Sequence, residues 1–431
     1  MKQILAAAVI LIAFTSCKDD KKIIVLSGFA DSLITNYTQP EALKSNAYDL
    51  AFWKNRIDPR NPGFTNELKY ANALAGRFRL SGDINDLLSS DSVLRKIDTV
   101  FNHKETSPYI SLTAHAISRH HFKDADSLLE TAKNLGLKPY ELHTVSFDVD
   151  FELGWYGLAE NELKQIISGN DYGYYFRHSK LMHYKGELDT AIAAMKKAAE
   201  LAGNEINLKQ AALSNEADLY LHNGKPQNAY DIYRESIRLT AADMHSIMGI
   251  GWIALVHDKN DSLAEKIFRF VQTKTKLPDP LFKLTQTAGA REDSNLETKY
   301  AREFELLVSD SRYGNMYNKY LIELYTGILH QPEKAEAIAK RELLNRNTPQ
   351  TNAWYVWALF TNNKKDEAYK TFLEKVSGKP LEGLELYWMG KLMLGLGKGY
   401  NAQQFFKVAW KNRYDLSPGI VKDLKKNLED K

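Results

Sequence analysis

One cysteine, Cys17, in a chain of 431 residues rules out a disulfide framework and a zinc site built from several thiolates. Glycine (24) and proline (12) are sparse, so only short stretches read as disordered or turn-rich. Neither sign of charge dominates: 57 Lys and Arg stand against 54 Asp and Glu, which excludes bulk electrostatic capture of nucleic acid. No apolar run reaches the roughly 20 residues that a membrane-spanning helix needs. His-Glu-xx-His and Gly-x-Ser-x-Gly are both missing. The run Gly395-Leu396-Gly397-Lys398-Gly399 lacks the spacer and the hydroxyl residue of a phosphate loop, and no strand precedes it. Paired carboxylates such as Asp148 and Asp150 are too common to imply acid–base catalysis. What is present is a 44% hydrophobic chain, longer than a single compact core usually serves. Two or three domains, or an elongated repeat array, are the choices.

The N-terminus carries its own signal. Lys2 precedes an uncharged apolar stretch from Ile4 to Phe14, which is signal-peptide length. The following Phe14-Thr15-Ser16-Cys17 resembles a bacterial lipoprotein signal, with Phe14 where Leu is usual. The resemblance implies cleavage after residue 16, a diacylglycerol on the Cys17 thiol, an N-acyl chain on its new amino terminus, and no other cofactor. Lys18-Asp19-Asp20 looks like the surface-export tag of lipoproteins in one Gram-negative phylum. That implies a lipid-anchored protein of the outer membrane, exposed on the cell surface, with the periplasmic face as the alternative. A short charge run also serves as a solvated tether, and residues 17–45 are assigned that role.

Beyond about residue 45 the chain is helix-forming, and a fixed period organises it. Ala125-xxx-Leu129-xx-Ala132 recurs as Ala191/Met195/Ala198, Ala229/Tyr233/Ser236, Ala264/Phe268/Val271 and Ala402/Phe406/Ala409. Weaker copies begin at Ala159, Ala335 and Ala368. The small residue lets two helices approach within roughly 8–10 Å. The large one, four positions on, keeps the same face. Gly154, Gly186, Gly224 and Gly397 each stand five residues before an Ala, where a left-handed residue closes the preceding helix. This pattern resembles the tetratricopeptide repeat (TPR), a helix–turn–helix of 34 residues. The resemblance implies an all-α fold of helix pairs stacked into a right-handed superhelix. One array would cover 46–278 and a second 313–431 with a capping helix, flanking an irregular repeat or hinge over 279–312.

In that family the first helix of each pair lines a concave groove, and the resemblance maps groove positions onto this chain. They are Phe176, Lys180, His183, Tyr184, Asp218, His222, His257, Trp357, Tyr387 and Lys391, with Thr144, Asp148, Glu152, Tyr317 and Tyr320 beside them. A polar, aromatic groove suits a peptide or a glycan, because Tyr and Trp give contact area with a polar handle. Any solvent-facing groove must also be lined by something polar. His183, His222 and His257 with Glu152 are not read as a metal site, since at roughly 8–10 Å between successive repeats two neighbours just converge on one ion but three do not. His120-His121 reads as turn surface. The expected function is a non-enzymatic scaffold that binds a protein or peptide partner, with an outer-membrane complex as one candidate. The alternative is a glycan-capturing lipoprotein working with an outer-membrane transporter.

Overall fold

The computed structural model of the chain describes residues 22–166 and 171–429. Cys17 and the residues around it lie outside that set. Among the described residues there are 23 α-helices and no strand, and no helix is long and apolar enough to cross a membrane.

Two helices lead the chain: α1 (Ser27–Thr35) lies in the stretch expected to be tether, and α2 (Glu41–Lys54) begins there and runs into the expected array. Ten antiparallel pairs follow. They are α3/α4 (Phe64–Ser81, Ile84–Val100), α5/α6 (Thr106–Ser118, Phe122–Leu135) and α7/α8 (Pro139–Leu153, Tyr156–Gln165). Next come α9/α10 (Tyr172–Tyr184, Leu188–Leu201), α11/α12 (Ile206–His222, Pro226–Leu239) and α13/α14 (Met244–Val256, Asp261–Gln272). The remainder are α15/α16 (Asp279–Ala290, Ser294–Val308), α17/α18 (Asn318–Thr326, Pro332–Asn345), α19/α20 (Pro349–Thr361, Lys365–Thr371) and α21/α22 (Gly383–Gly395, Gly399–Lys411). A final helix, α23 (Pro418–Glu429), caps the stack. The fold is an all-α solenoid of TPR-like helix pairs.

The turn inside every pair contains one left-handed residue: Gly82, His120, Gly154, Gly186, Gly224, Lys259, Glu292, His330, Asn363 or Gly397. Glycine takes this conformation without cost. The non-glycine turns explain why glycine alone does not trace the repeat. Eight of the ten turns are followed five residues later by Ala125, Ala159, Ala191, Ala229, Ala264, Ala335, Ala368 or Ala402, all essentially without exposure. The residue four positions on is buried in each case, from Leu129 to Phe406. One deviation has a local cause. In α20 the helix passes into a π-helical turn over Phe372–Val376, so the buried third position moves from Lys375 to Val376. Helix starts are fixed by side chains: Asp243 accepts the Ser246 N–H, Asp293 that of Leu296, and Thr348 forms a capping box with Thr351.

Residues 279–308, within the stretch expected to be irregular, form the ordinary pair α15/α16 around a fully buried Ala301. The pattern is hidden because Glu305, held by Lys334 at 2.8 Å, stands four positions after Ala301 where other pairs carry a large apolar residue. The irregularity lies just beyond, where a 3-10 turn at Ser311–Tyr313 precedes the short helix α17. There Phe282, Phe304, Tyr317 and Tyr320 fill the joint with ring contacts at 4.4–6.3 Å.

The array also closes on itself. The Lys276 N–H donates to Ser81 O at 2.8 Å, and the Asn315 N–H to Arg119 O at 3.0 Å. The Asn345 side chain donates to His120 O at 2.7 Å and accepts the Phe122 N–H at 2.9 Å. Arg346 pairs with Glu152 at 3.5 Å, and Asn412 reaches His222 at 3.3 Å. These partners stand 190 to 225 residues apart, roughly six repeats of 34. The turns at Gly82, His120, Gly154 and Gly224 therefore rest on a loop or helix end of a pair one superhelical turn later, and the α9/α10 turn at Gly186 stands clear. The groove is not an open trough but a hollow between two arms.

One buried charge on this scaffold gives a pH test. Glu216 of α11 is 2% exposed, and burial pushes its carboxyl up to about 7 from 4.5. A raised carboxyl favours the folded state below pH 4.5, and that contribution is lost as pH rises through 7. Glu216→Gln should therefore stabilise the protein at pH 8 by about 2–4 kcal/mol and leave it unchanged at pH 4. Thermal melts at the two values check the difference.

Candidate functional site

The hollow opens where the seam parts, between the α9/α10 turn and the loop 377–382. It has a volume of about 840 Å³, with an adjoining lobe of about 480 Å³. His183, His222, Lys319, Tyr320 and Glu382 line both. One wall is the groove side of α7, α9 and α11; the other is that of α17, α19 and α21.

Ion pairs link side chains within and across these walls. Glu152 receives Lys180 at 3.1 Å from its own arm and Arg346 from the opposite one. Burial alone would raise the Glu152 carboxyl, but Lys180 and Arg346 outweigh it and hold the group ionised. Lys319 lies 3.1 Å from Glu385 and 3.4 Å from Glu382. It holds Glu382 down to about 2. His222 meets Asp415 at 2.5 Å; burial pulls its pKa down, but Asp415 and Glu382 carry it above the ordinary value. His183 meets the His222 ring edge to face at 4.7 Å and is lowered by burial, then by His222. At neutral pH the hollow thus alternates fixed ammonium, guanidinium and carboxylate groups around a neutral His183. The aromatic share comes from Tyr184 stacked on Tyr156 at 3.5 Å between centroids, with Phe151 and Trp354 nearby. Two buried acceptors face no donor: Glu385 Oε2 and Gln350 Oε1.

Of the ten mapped groove residues, the structure brings five to this hollow: Lys180, His183, Tyr184, Asp218 and His222. The other five lie elsewhere. Phe176 stacks on Tyr172 at 5.7 Å beside a separate shallow depression. His257 turns to its neighbour Asp258 at 2.8 Å and packs near Tyr414. Trp357 stacks on Trp388 and donates to Thr326 Oγ1 at 3.0 Å, a packing role between pairs. Tyr387 and Lys391 both bind Asp423 of α23, at 2.7 and 2.9 Å, because the capping helix covers their stretch of groove. His120 is not turn surface: it stands at the seam and lines the hollow, where burial and then Arg346 lower it to about 4. Among the described residues no group of three His, Cys, Asp or Glu could hold a metal ion.

No family model matches the chain, and no curated protein matches it. Solved structures do. A tetratricopeptide repeat protein from Parabacteroides merdae is 15% identical, covering 68% of this chain and 99% of its own, with a TM-score of 0.35. PilF of Pseudomonas aeruginosa is 14% identical over 50% of this chain and 97% of its own, with a TM-score of 0.35. The Cut9–Hcn1 complex is 12% identical over 93% of this chain and 69% of the matched one, with a TM-score of 0.45. At these identities and scores the likenesses carry nothing about ligand or partner.

The hollow's second wall was missed by the groove mapping. Lys319, Arg346, Trp354, Glu382 and Glu385 reach the first wall only because the superhelix returns on itself. Tyr317 and Tyr320, both mapped to the groove, point to α17, and of the two Tyr320 lines the hollow.

Proposed function

We propose that the protein is a non-enzymatic scaffold, lipid-anchored at the bacterial outer membrane through Cys17, that receives a segment of a protein partner in the central hollow. The signal-like N-terminus supports the anchor, and the Lys18-Asp19-Asp20 tag supports exposure on the cell surface. The observation that carries the binding reading is the hollow itself: preformed helices present aromatic faces, fixed charges of both signs and two unfilled buried acceptors. A preformed site leaves most of the ordering cost to the segment that enters.

Pull-down from outer membranes with the anchor-free chain should enrich one partner. Tyr184→Ala with His222→Ala should weaken its capture about tenfold or more, as central contacts do. Tyr400→Ser, on the exposed start of α22, should leave capture unchanged. Undiminished capture by the double variant would move the site off the hollow. Heat released by glycans and not by the partner's peptides would favour the glycan-capturing alternative. Protease shaving of intact cells separates surface from periplasmic display.

A further inference from the structure

The chain between the anchor and the array is clipped to the array almost at once. The Ile24 and Val25 N–H groups donate to the two carboxylate oxygens of Asp258 at 3.0 and 2.7 Å. The Asp258 side chain is 1% exposed at the α13/α14 turn. The side chains of Ile24 and Val25 are buried, and α1 continues the docking: Ala30 is fully buried, Phe29 meets Tyr230 edge to face at 5.8 Å, and Lys266 pairs with Asp31. Flanking the clip, Ile23 and Leu26 are 60% and 62% exposed. The chain bends at Val25, and Ile23 and Leu26 leave two apolar side chains in the open beside the docked pair, a patch that an apolar surface can cover.

We propose that Lys22–Leu26 is a fixed foot that stands on the lipid surface, with the α13/α14 turn and α1 held next to the bilayer; this rests on the anchor at Cys17. Seven residue steps separate Cys17 from Ile24, a reach of about 25 Å at most, whereas a tether to residue 46 would reach roughly 100 Å. Ile23 and Leu26 fit the apolar part of the headgroup boundary, and Lys22 fits anionic lipid phosphates. The array is therefore posed on the membrane rather than left on a long leash.

The lipidated full chain, labelled at Ser262→Cys on the exposed start of α14, is bound to phosphatidylcholine–phosphatidylglycerol vesicles that carry an acceptor dye on the lipid. Energy transfer from Ser262→Cys should be strong. It should fall when a flexible Gly-Ser insert of 20 residues, about 25 Å or more of added span, is placed between Lys21 and Lys22, a change that leaves the fold untouched. Asp258→Ala should lower it as well, and should release the Ile24 and Val25 amides about tenfold or more in hydrogen exchange. Equal transfer with and without the insert, on chains shown by mass spectrometry to carry lipid, overturns the fixed foot. Absence of lipid on Cys17 overturns the anchor instead, while amide protection in the soluble chain still reads the clip.

Discussion

Lys319→Met should lower the free energy of unfolding by about 3–5 kcal/mol, the range for breaking a buried ion pair from one side. Glu385 is 0% exposed, and its Oε1 takes both the Lys319 ammonium at 3.1 Å and the Trp354 Nε1–H at 2.7 Å. Its Oε2 has no partner. Without the ammonium, one neutral donor must sustain a buried carboxylate. Burial works against the Lys319 charge, yet Glu385 and then Glu382 push its pKa up, so the ammonium stays charged. Glu385→Gln in the Lys319→Met background should return most of the loss. Urea titration of the single and double variants is the measurement. A small loss in the single variant, with no recovery in the double, would mean that the two groups do not share a buried pair.

The second large effect is expected at the seam. Asn345→Ala removes the side chain that bridges His120 O and the Phe122 N–H, 225 and 223 residues away. The Phe122 N–H is left without a partner, at a cost of roughly 1–3 kcal/mol, while His120 O keeps the Asn315 side chain at 3.1 Å. The loss should be accompanied by faster amide exchange around 119–125 and by a larger radius of gyration in solution scattering, because the arms part there. A variant as compact and as protected as the parent would show that other seam contacts suffice.

The helix pairs were legible in the sequence because small residues at helix contacts and large ones a turn later leave a period. Where the period failed, a specific residue concealed it. Glu292, Asn363 and Lys259 hold left-handed turns without glycine, and the π-helical turn after α20 shifts the buried position by one. The site was half legible. Positions such as His183 and His222 follow from repeat register alone. Arg346 and Glu382 enter through contacts between residues nearly 200 apart, and curvature of that kind is set by many small packing angles that no local pattern reports. Tyr387 and Lys391 fail for the opposite reason: their register is right, but Asp423 of the capping helix reaches them first.

The closed superhelix is tested most directly by zero-length carbodiimide cross-linking of the intact chain followed by peptide mapping. Lys276 Nζ stands 2.6 Å from Asp83 Oδ2 across the seam, 193 residues apart in sequence. Recovery of a Lys276–Asp83 isopeptide, alongside local pairs such as Lys299–Glu303, is the expected result. Local cross-links without the Lys276–Asp83 product would contradict it, and would return the molecule to an open trough with no hollow between its arms.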